Sequence, residues 1–145
     1  MSGYSNEVIT RVSLICAILD IGLVYILYSC VLSWIDYSFV VIILLSHVAF
    51  YVALYAQYGT WIDYLHYFMF ISLIMSVCLE NVYLLGLCLF LLFMIQLLWI
   101  FEKKCILIRE DGVQFGFSNE LSIGAIIWTI ILSMKIGYKI KPILN

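Results

Sequence analysis

Five long apolar runs, separated by short polar breaks, organise the chain: 12–34, 39–58, 62–79, 82–101 and 121–138. Crossing about 30 Å of hydrocarbon takes about 20 predominantly apolar residues in a helix, with a range of about 17–25. The first four runs meet that length. Ser5, Asn6 and Glu7 supply capping and dipole-favourable residues ahead of the first. Trp34, Asp36 and Tyr37 read as a turn at the far interface, where aromatic rings prefer to sit. Gln57 to Asp63 reads as the second turn, and Glu80-Asn81 as the third. Connections this short imply antiparallel neighbours, so the pattern predicts an all-α membrane protein, a single transmembrane domain built as an up-and-down bundle.

The pattern changes at Glu102. Cys105 to Arg109 and Val113 to Phe117 are rich in β-branched and aromatic residues and flank Asp111-Gly112, a strong hairpin signal. The surface segment 102–120 is therefore expected to hold a short β-hairpin. Ser118, Asn119 and Glu120 cap a last helix from about Leu121, whose apolar part to Met134 is short for a span. Lys135, Lys139 and Lys141 extend it by snorkelling. Ala125, Thr129, Ser133 and Gly137 recur every four residues, a small-residue stripe of the kind that packs transmembrane helices. The stripe favours five spans, with the N-terminus cytoplasmic. The charge rule favours four, because four spans place all seven basic residues on one side.

Composition agrees with a lipid solvent. Of 145 residues 66% are hydrophobic and 11% charged, and the mean hydropathy is +1.16; an ordinary soluble domain is about 25% charged. A net charge of −2 without a broad basic patch gives no reason to expect nucleic acid. The five cysteines form no C-x-x-C and four lie in apolar runs, where thiols behave as small hydrophobes. The polar stretch Met1 to Thr10 followed by a long apolar run gives no cleavable signal peptide pattern.

Candidate chemistry lies inside the runs. Asp20 and His47 each fall about 8 residues into their run, near the midplane of an antiparallel pair at ~1.5 Å per residue. A lone charge there costs at least about 2.5–3.5 kcal/mol, so the two are expected to pair. His47, Tyr51, Tyr55 and Tyr58 share a helix face, as do Ser13, Ala17 and Asp20, and Gln96 falls in the same half of the membrane. The expected set Asp20, His47, Tyr51, Tyr55 and Gln96 serves either as an interhelical clasp or as a proton or ion relay. No metal-ligand spacing, phosphate loop, nucleophile elbow or potassium-type filter occurs, so no cofactor, small-molecule substrate or enzymatic activity is expected.

Trp99-Ile-Phe-Glu-Lys-Lys-Cys105-Ile-Leu107 resembles a pattern in small multi-spanning integral membrane proteins of large double-stranded DNA viruses, with Leu98 where that family often has His. The resemblance implies a structural or assembly role in a virion membrane or host intracellular membrane, with capsid or other membrane proteins and lipid as partners. Lys103, Lys104, Arg109, Glu110 and Asp111 would form the docking segment. Ile108-Arg109-Glu110-Asp111 ahead of a final helix is also similar to the sixth mitochondrially encoded subunit of respiratory complex I. That similarity implies a proton-translocating alternative centred on Asp20 and His47; the Gly-rich bulged third helix of that family has no counterpart in 62–79.

Overall fold

The computed structural model of the protein describes residues 5–102 and 120–144. Among them every regular element is helical: α1 (Asn6–Ser29), α2 (Trp34–Tyr55), α3 (Gly59–Met75), which runs into the 3-10 turn Ser76–Cys78, α4 (Val82–Glu102) and α5 (Glu120–Leu144). Four segments are long and apolar enough to cross a membrane: Asn6–Ser29, Trp34–Tyr55, Gly59–Cys78 and Ile123–Lys141. The apolar stretch found in α4 is shorter, Val82–Leu97. The last helix therefore meets the length that its apolar core alone did not suggest. The expected β-hairpin and the docking residues Lys103, Lys104, Arg109, Glu110 and Asp111 lie outside the described residues.

Capping chemistry sets the helix starts, and it moves the first turn from its expected place. Ser5 Oγ accepts from the Val8 amide and opens α1. Glu7 in that first turn pairs with Arg11 at 2.6 Å. Trp34, Asp36 and Tyr37 are not a turn but the first turn of α2. Ser33 Oγ accepts from Asp36 N at 3.1 Å, and Asp36 Oδ2 accepts from Ser33 N at 3.3 Å and Ser33 Oγ at 2.8 Å. This capping box occupies two amides that a helix start leaves without intrahelical partners. The actual connection is 30–33. At the other end of α2, Gln57 sits at φ 59. Its amide bonds Leu54 O, and the Tyr58 amide bonds Ala53 O at 2.9 Å. That is the Schellman arrangement that closes a helix's last carbonyls, here with Gln in the left-handed position where Gly is usual. Tyr58 thus leaves the face shared by His47, Tyr51 and Tyr55. Asn81 Oδ1 accepts from the Tyr83 and Leu84 amides and starts α4.

Contacts group the chain into two compact units, Met1–Ser72 and Leu73–Asn145. In the first unit α1 packs on α2. The buried residues of α1 are Ile9, Val12, Cys16, Leu19, Leu23 and Ile26. Those of α2 include Asp36, Val40, Ile43, His47, Phe50 and Leu54. Both series step by alternating threes and fours, the 3.5-residue period that keeps one seam facing a partner helix. Tyr55 reaches Ser13, and His47 reaches Asp20, so the two helices run antiparallel. In the second unit Glu80, just ahead of α4, meets Lys139 near the C-terminal end of α5. Gln96, later on α4, meets Ala125 and Thr129 toward its start. These helices are antiparallel as well.

Hydroxyls within the helices bond back to their own backbone: Ser46 to Ile43 O, Ser72 to Phe68 O, Thr129 to Ala125 O and Ser133 to Thr129 O. A polar group so satisfied costs little where no water is present. Large apolar side chains point outward in numbers, among them Leu14, Ile21, Leu45, Val52, Ile74, Phe93, Ile130 and Met134. That surface suits hydrocarbon rather than water.

Candidate functional site

Asp20 stands just outside the α1 seam, while His47 occupies a seam position of α2. The antiparallel register brings them into direct contact, His47 Nδ1 against Asp20 Oδ1. Tyr51, one turn along α2, donates from its hydroxyl either to Asp20 Oδ2 at 3.3 Å or to Ser13 O at 3.3 Å. Ser13 Oγ in turn donates to Tyr55 Oη at 3.4 Å. The His47 side chain is 2% exposed and that of Asp20 24%. Asp20 therefore reaches the rim of the seam while the imidazole is enclosed. His47 Nε2 is fully buried and has no hydrogen-bond partner.

Direct hydrogen bonds along Tyr55–Ser13–Tyr51–Asp20–His47 are interrupted between Tyr51 and Ser13. A wire needs groups that accept and donate in turn, and the step from Tyr51 to Ser13 ends on a backbone carbonyl, which only accepts. The Ser13 hydroxyl bonds Tyr55 instead. The arrangement fastens α1 to α2 through five side chains.

Gln96 belongs elsewhere. Its Nε2 donates to Thr129 Oγ1 at 2.6 Å and to Ala125 O at 3.1 Å, fastening α4 to α5. The small-residue stripe divides at the same place. Ala125 is buried and Thr129 is bonded to Gln96, but Ser133 and Gly137 are exposed, and a Cβ added at Gly137 would meet nothing. A strict four-residue step overshoots the ~3.6-residue turn by about 40° each time, so the stripe rotates off the face it starts on. The inward face of α5 follows Ala125, Trp128, Leu132, Lys135 and Lys139, whose alternating steps hold it in place.

That face carries a set of contacts the sequence reading did not anticipate. Trp128 Nε1 donates to Leu73 O at 2.8 Å, Lys135 Nζ donates to Val77 O, and Lys139 pairs with Glu80. The Leu73 carbonyl, which also accepts from Ser76 Oγ at 2.5 Å, and the Val77 carbonyl in the 3-10 turn thus both take donors from α5. Cationic ammonium groups at a helix C-terminus also complement its dipole. The spacing of Trp128, Lys135 and Lys139, seven and then four, was the available signal. It was masked because lysines after an apolar run read first as snorkelling anchors.

No known protein family, characterised protein or solved structure matches the chain.

The outward aromatics frame the polar lock in the first unit. Tyr25, Tyr28, Trp34 and Tyr37 are exposed at the α1–α2 connection, and Tyr55, Tyr58, Trp61 and Tyr64 at the opposite end of α2. Tyr37 and Tyr55 are separated by about 27 Å and Trp34 and Tyr55 by about 32 Å along α2, at ~1.5 Å per residue. Those lengths bracket the ~30 Å hydrocarbon layer whose two faces attract such rings. His47 then lies about 15 Å from Tyr37 and about 12 Å from Tyr55, close to the middle. Among the described residues no three His, Cys, Asp or Glu side chains group as metal ligands, and Cys16, Cys30, Cys78 and Cys88 are free thiols.

Each lock has a measurable strength. Gln96→Leu and Thr129→Val, made singly and together, are expected to show a coupling of about 0.6–1.7 kcal/mol, the range for interhelical hydrogen bonds in membranes. Unfolding of the four proteins in lipid bicelles checks it; additive single effects would show that the bond contributes nothing.

Proposed function

We propose that the chain is a non-enzymatic multi-pass membrane protein whose role is structural, a five-span up-and-down scaffold within a larger membrane-associated particle. The observation that carries this reading is where the bonded polar groups of the apolar helices go. Asp20, His47 and Tyr51 fasten α1 to α2, Gln96 and Thr129 fasten α4 to α5, and Lys135 and Lys139 fasten α5 to the end of α3. Polar side chains spent on internal fastening leave large apolar side chains to face outward from each unit. Such a surface suits assembly in a bilayer. The resemblance around Trp99 to Leu107 suggests that the particle is a virion or a host membrane remodelled by one. Lys103, Lys104, Arg109, Glu110 and Asp111 concentrate charge in the segment between α4 and α5 and are the natural contact for a capsid or membrane partner.

The alternative, proton or ion translocation centred on Asp20 and His47, draws on one observation, the unpartnered His47 Nε2. Purified protein in liposomes separates the two readings. At about pH 5 and about pH 8 it is expected to pass no proton current beyond that of empty vesicles. A current abolished by Asp20→Asn would replace the scaffold with a conductor. In membranes that contain the particle, alanine at Arg109, Glu110 and Asp111 together is expected to release the chain from its partners on mild detergent extraction while the helices stay folded. Unchanged co-purification would remove the docking role from that segment.

A further inference from the structure

The fastenings of α5 leave charge unbalanced at its C-terminal end. Among the described residues of the second unit, Lys135, Lys139 and Lys141 share that end with one carboxylate, Glu80. The rest of the chain carries four basic residues against eight acidic ones. A chain of net charge −2 thus gathers a local positive surplus in one place. Glu80 is engaged by Lys139. Lys135 donates to the Val77 carbonyl, which is neutral. An ammonium has three N–H donors, so Lys135 keeps its full charge and two donors after that bond. Lys141 is exposed, and among the described residues no carboxylate pairs with it.

Depth decides what can answer this charge. Lys135 precedes Lys141 by six residues, about 9 Å of helix rise toward the apolar part of α5. It is half-buried, with the 3-10 turn Ser76–Cys78 beside it. Tyr83 and Tyr138 are exposed at the same end, as rings at a membrane interface are. An ammonium at the edge of hydrocarbon is costly unless an opposite charge meets it. A soluble anion reaches that depth only by giving up its water, whereas phospholipid phosphates already line the edge of the hydrocarbon layer. A choline lipid brings its own cation with its phosphate and adds no net charge. An anionic lipid brings the charge that is missing.

We infer that the corner formed by the last turns of α5, the 3-10 turn and the start of α4 binds the headgroup of an anionic phospholipid. The phosphate accepts from Lys135 as a charge-assisted hydrogen bond, and Lys141 adds attraction from the outer side. The Lys139–Glu80 pair holds the corner in shape. The site selects lipid by charge, where the apolar faces of the helices take any acyl chain. This rests on the reading that these helices cross the bilayer.

Native mass spectrometry of protein released from nanodiscs of phosphatidylcholine containing a minor share of phosphatidylglycerol tests it. The expected result is retention of phosphatidylglycerol above its share of the bilayer. Retention falls about fivefold in Lys141→Gln and again in Lys135→Gln, the factor a basic side chain contributes at an anionic surface. Lys135→Arg keeps the charge and is expected to keep the lipid, and Arg11→Gln, a loss of charge in the other unit, leaves retention unchanged. Retention in proportion to bilayer composition overturns the site, as does an equal fall in Arg11→Gln. Unchanged retention in Lys141→Gln and Lys135→Gln alike overturns it too. Where Lys135→Gln fails to fold, Lys141→Gln and the wild-type lipid ratio still decide. Displacement by inorganic phosphate, but not by chloride of equal ionic strength, overturns the lipid as occupant in favour of a soluble anion. Placement in lipid is read separately, by brominated phosphatidylcholine quenching the 4 tryptophans. Quenching without selective retention overturns the lipid site alone, and absence of quenching overturns the membrane reading with it.

Discussion

His47→Leu is expected to destabilise the α1–α2 hairpin by about 3 kcal/mol, the cost of leaving a carboxylate without a partner at the middle of a bilayer. Asp20→Leu is expected to cost about half as much, since an imidazole can stay neutral and then loses only its hydrogen-bond partner. The double variant should return to within about 1 kcal/mol of the wild type, because two leucines in a seam of Val12, Cys16, Leu23, Val40, Ile43 and Phe50 leave nothing polar stranded. The asymmetry between singles and double identifies the pair as a lock rather than a source of stability. A double-mutant cycle in bicelles measures it. Single effects that simply add would mean that the two side chains do not depend on each other.

The second large effect is expected at Leu132, fully enclosed on the inward face of α5. In water a Leu→Ala change in a core costs about 2–5 kcal/mol, part transfer and part cavity. In lipid the transfer part largely vanishes, because acyl chains are as apolar as leucine, while the lost packing contacts remain. Leu132→Ala should therefore cost about 2 kcal/mol, at the low end of that range. Ile130→Ala, on the outward side of the same helix, should cost close to nothing. Thermal unfolding in nanodiscs distinguishes them, and equal losses at the two positions would reject the assigned face of α5.

Much of this was legible in the chain because lipid imposes few alternatives. Long apolar runs become helices, and the pairing of Asp20 with His47 followed from the cost of leaving either alone. Boundaries were less legible. Trp34 to Tyr37 looked like a turn because aromatic and acidic residues suit an interface, but Ser33 with Asp36 three residues on is also a capping box, and two satisfied amides decided the matter. Gln96 was placed with Asp20 by depth alone; depth says nothing about which neighbour a side chain faces, and Thr129 took it. The small stripe of α5 failed at Ser133 and Gly137 because its period is four rather than three and a half. Lys135 and Lys139 read as anchors since their partners, a backbone carbonyl and Glu80 at a distant turn, leave no local mark in sequence.

The contacts of α5 with Leu73, Val77 and Glu80 also set an order of events during biogenesis. The fastenings described between α1 and α2 all lie within residues 13–55, so they can form once residue 55 has left the ribosome and entered the membrane. The end of α3 is different. There Leu73 O has a local donor in Ser76 Oγ, but its bond from Trp128 and the bond of Val77 O from Lys135 come more than fifty residues later in synthesis. Until the C-terminal helix arrives, the contacts that α5 makes with Leu73, Val77 and Glu80 are missing, so this end of the chain is finished last.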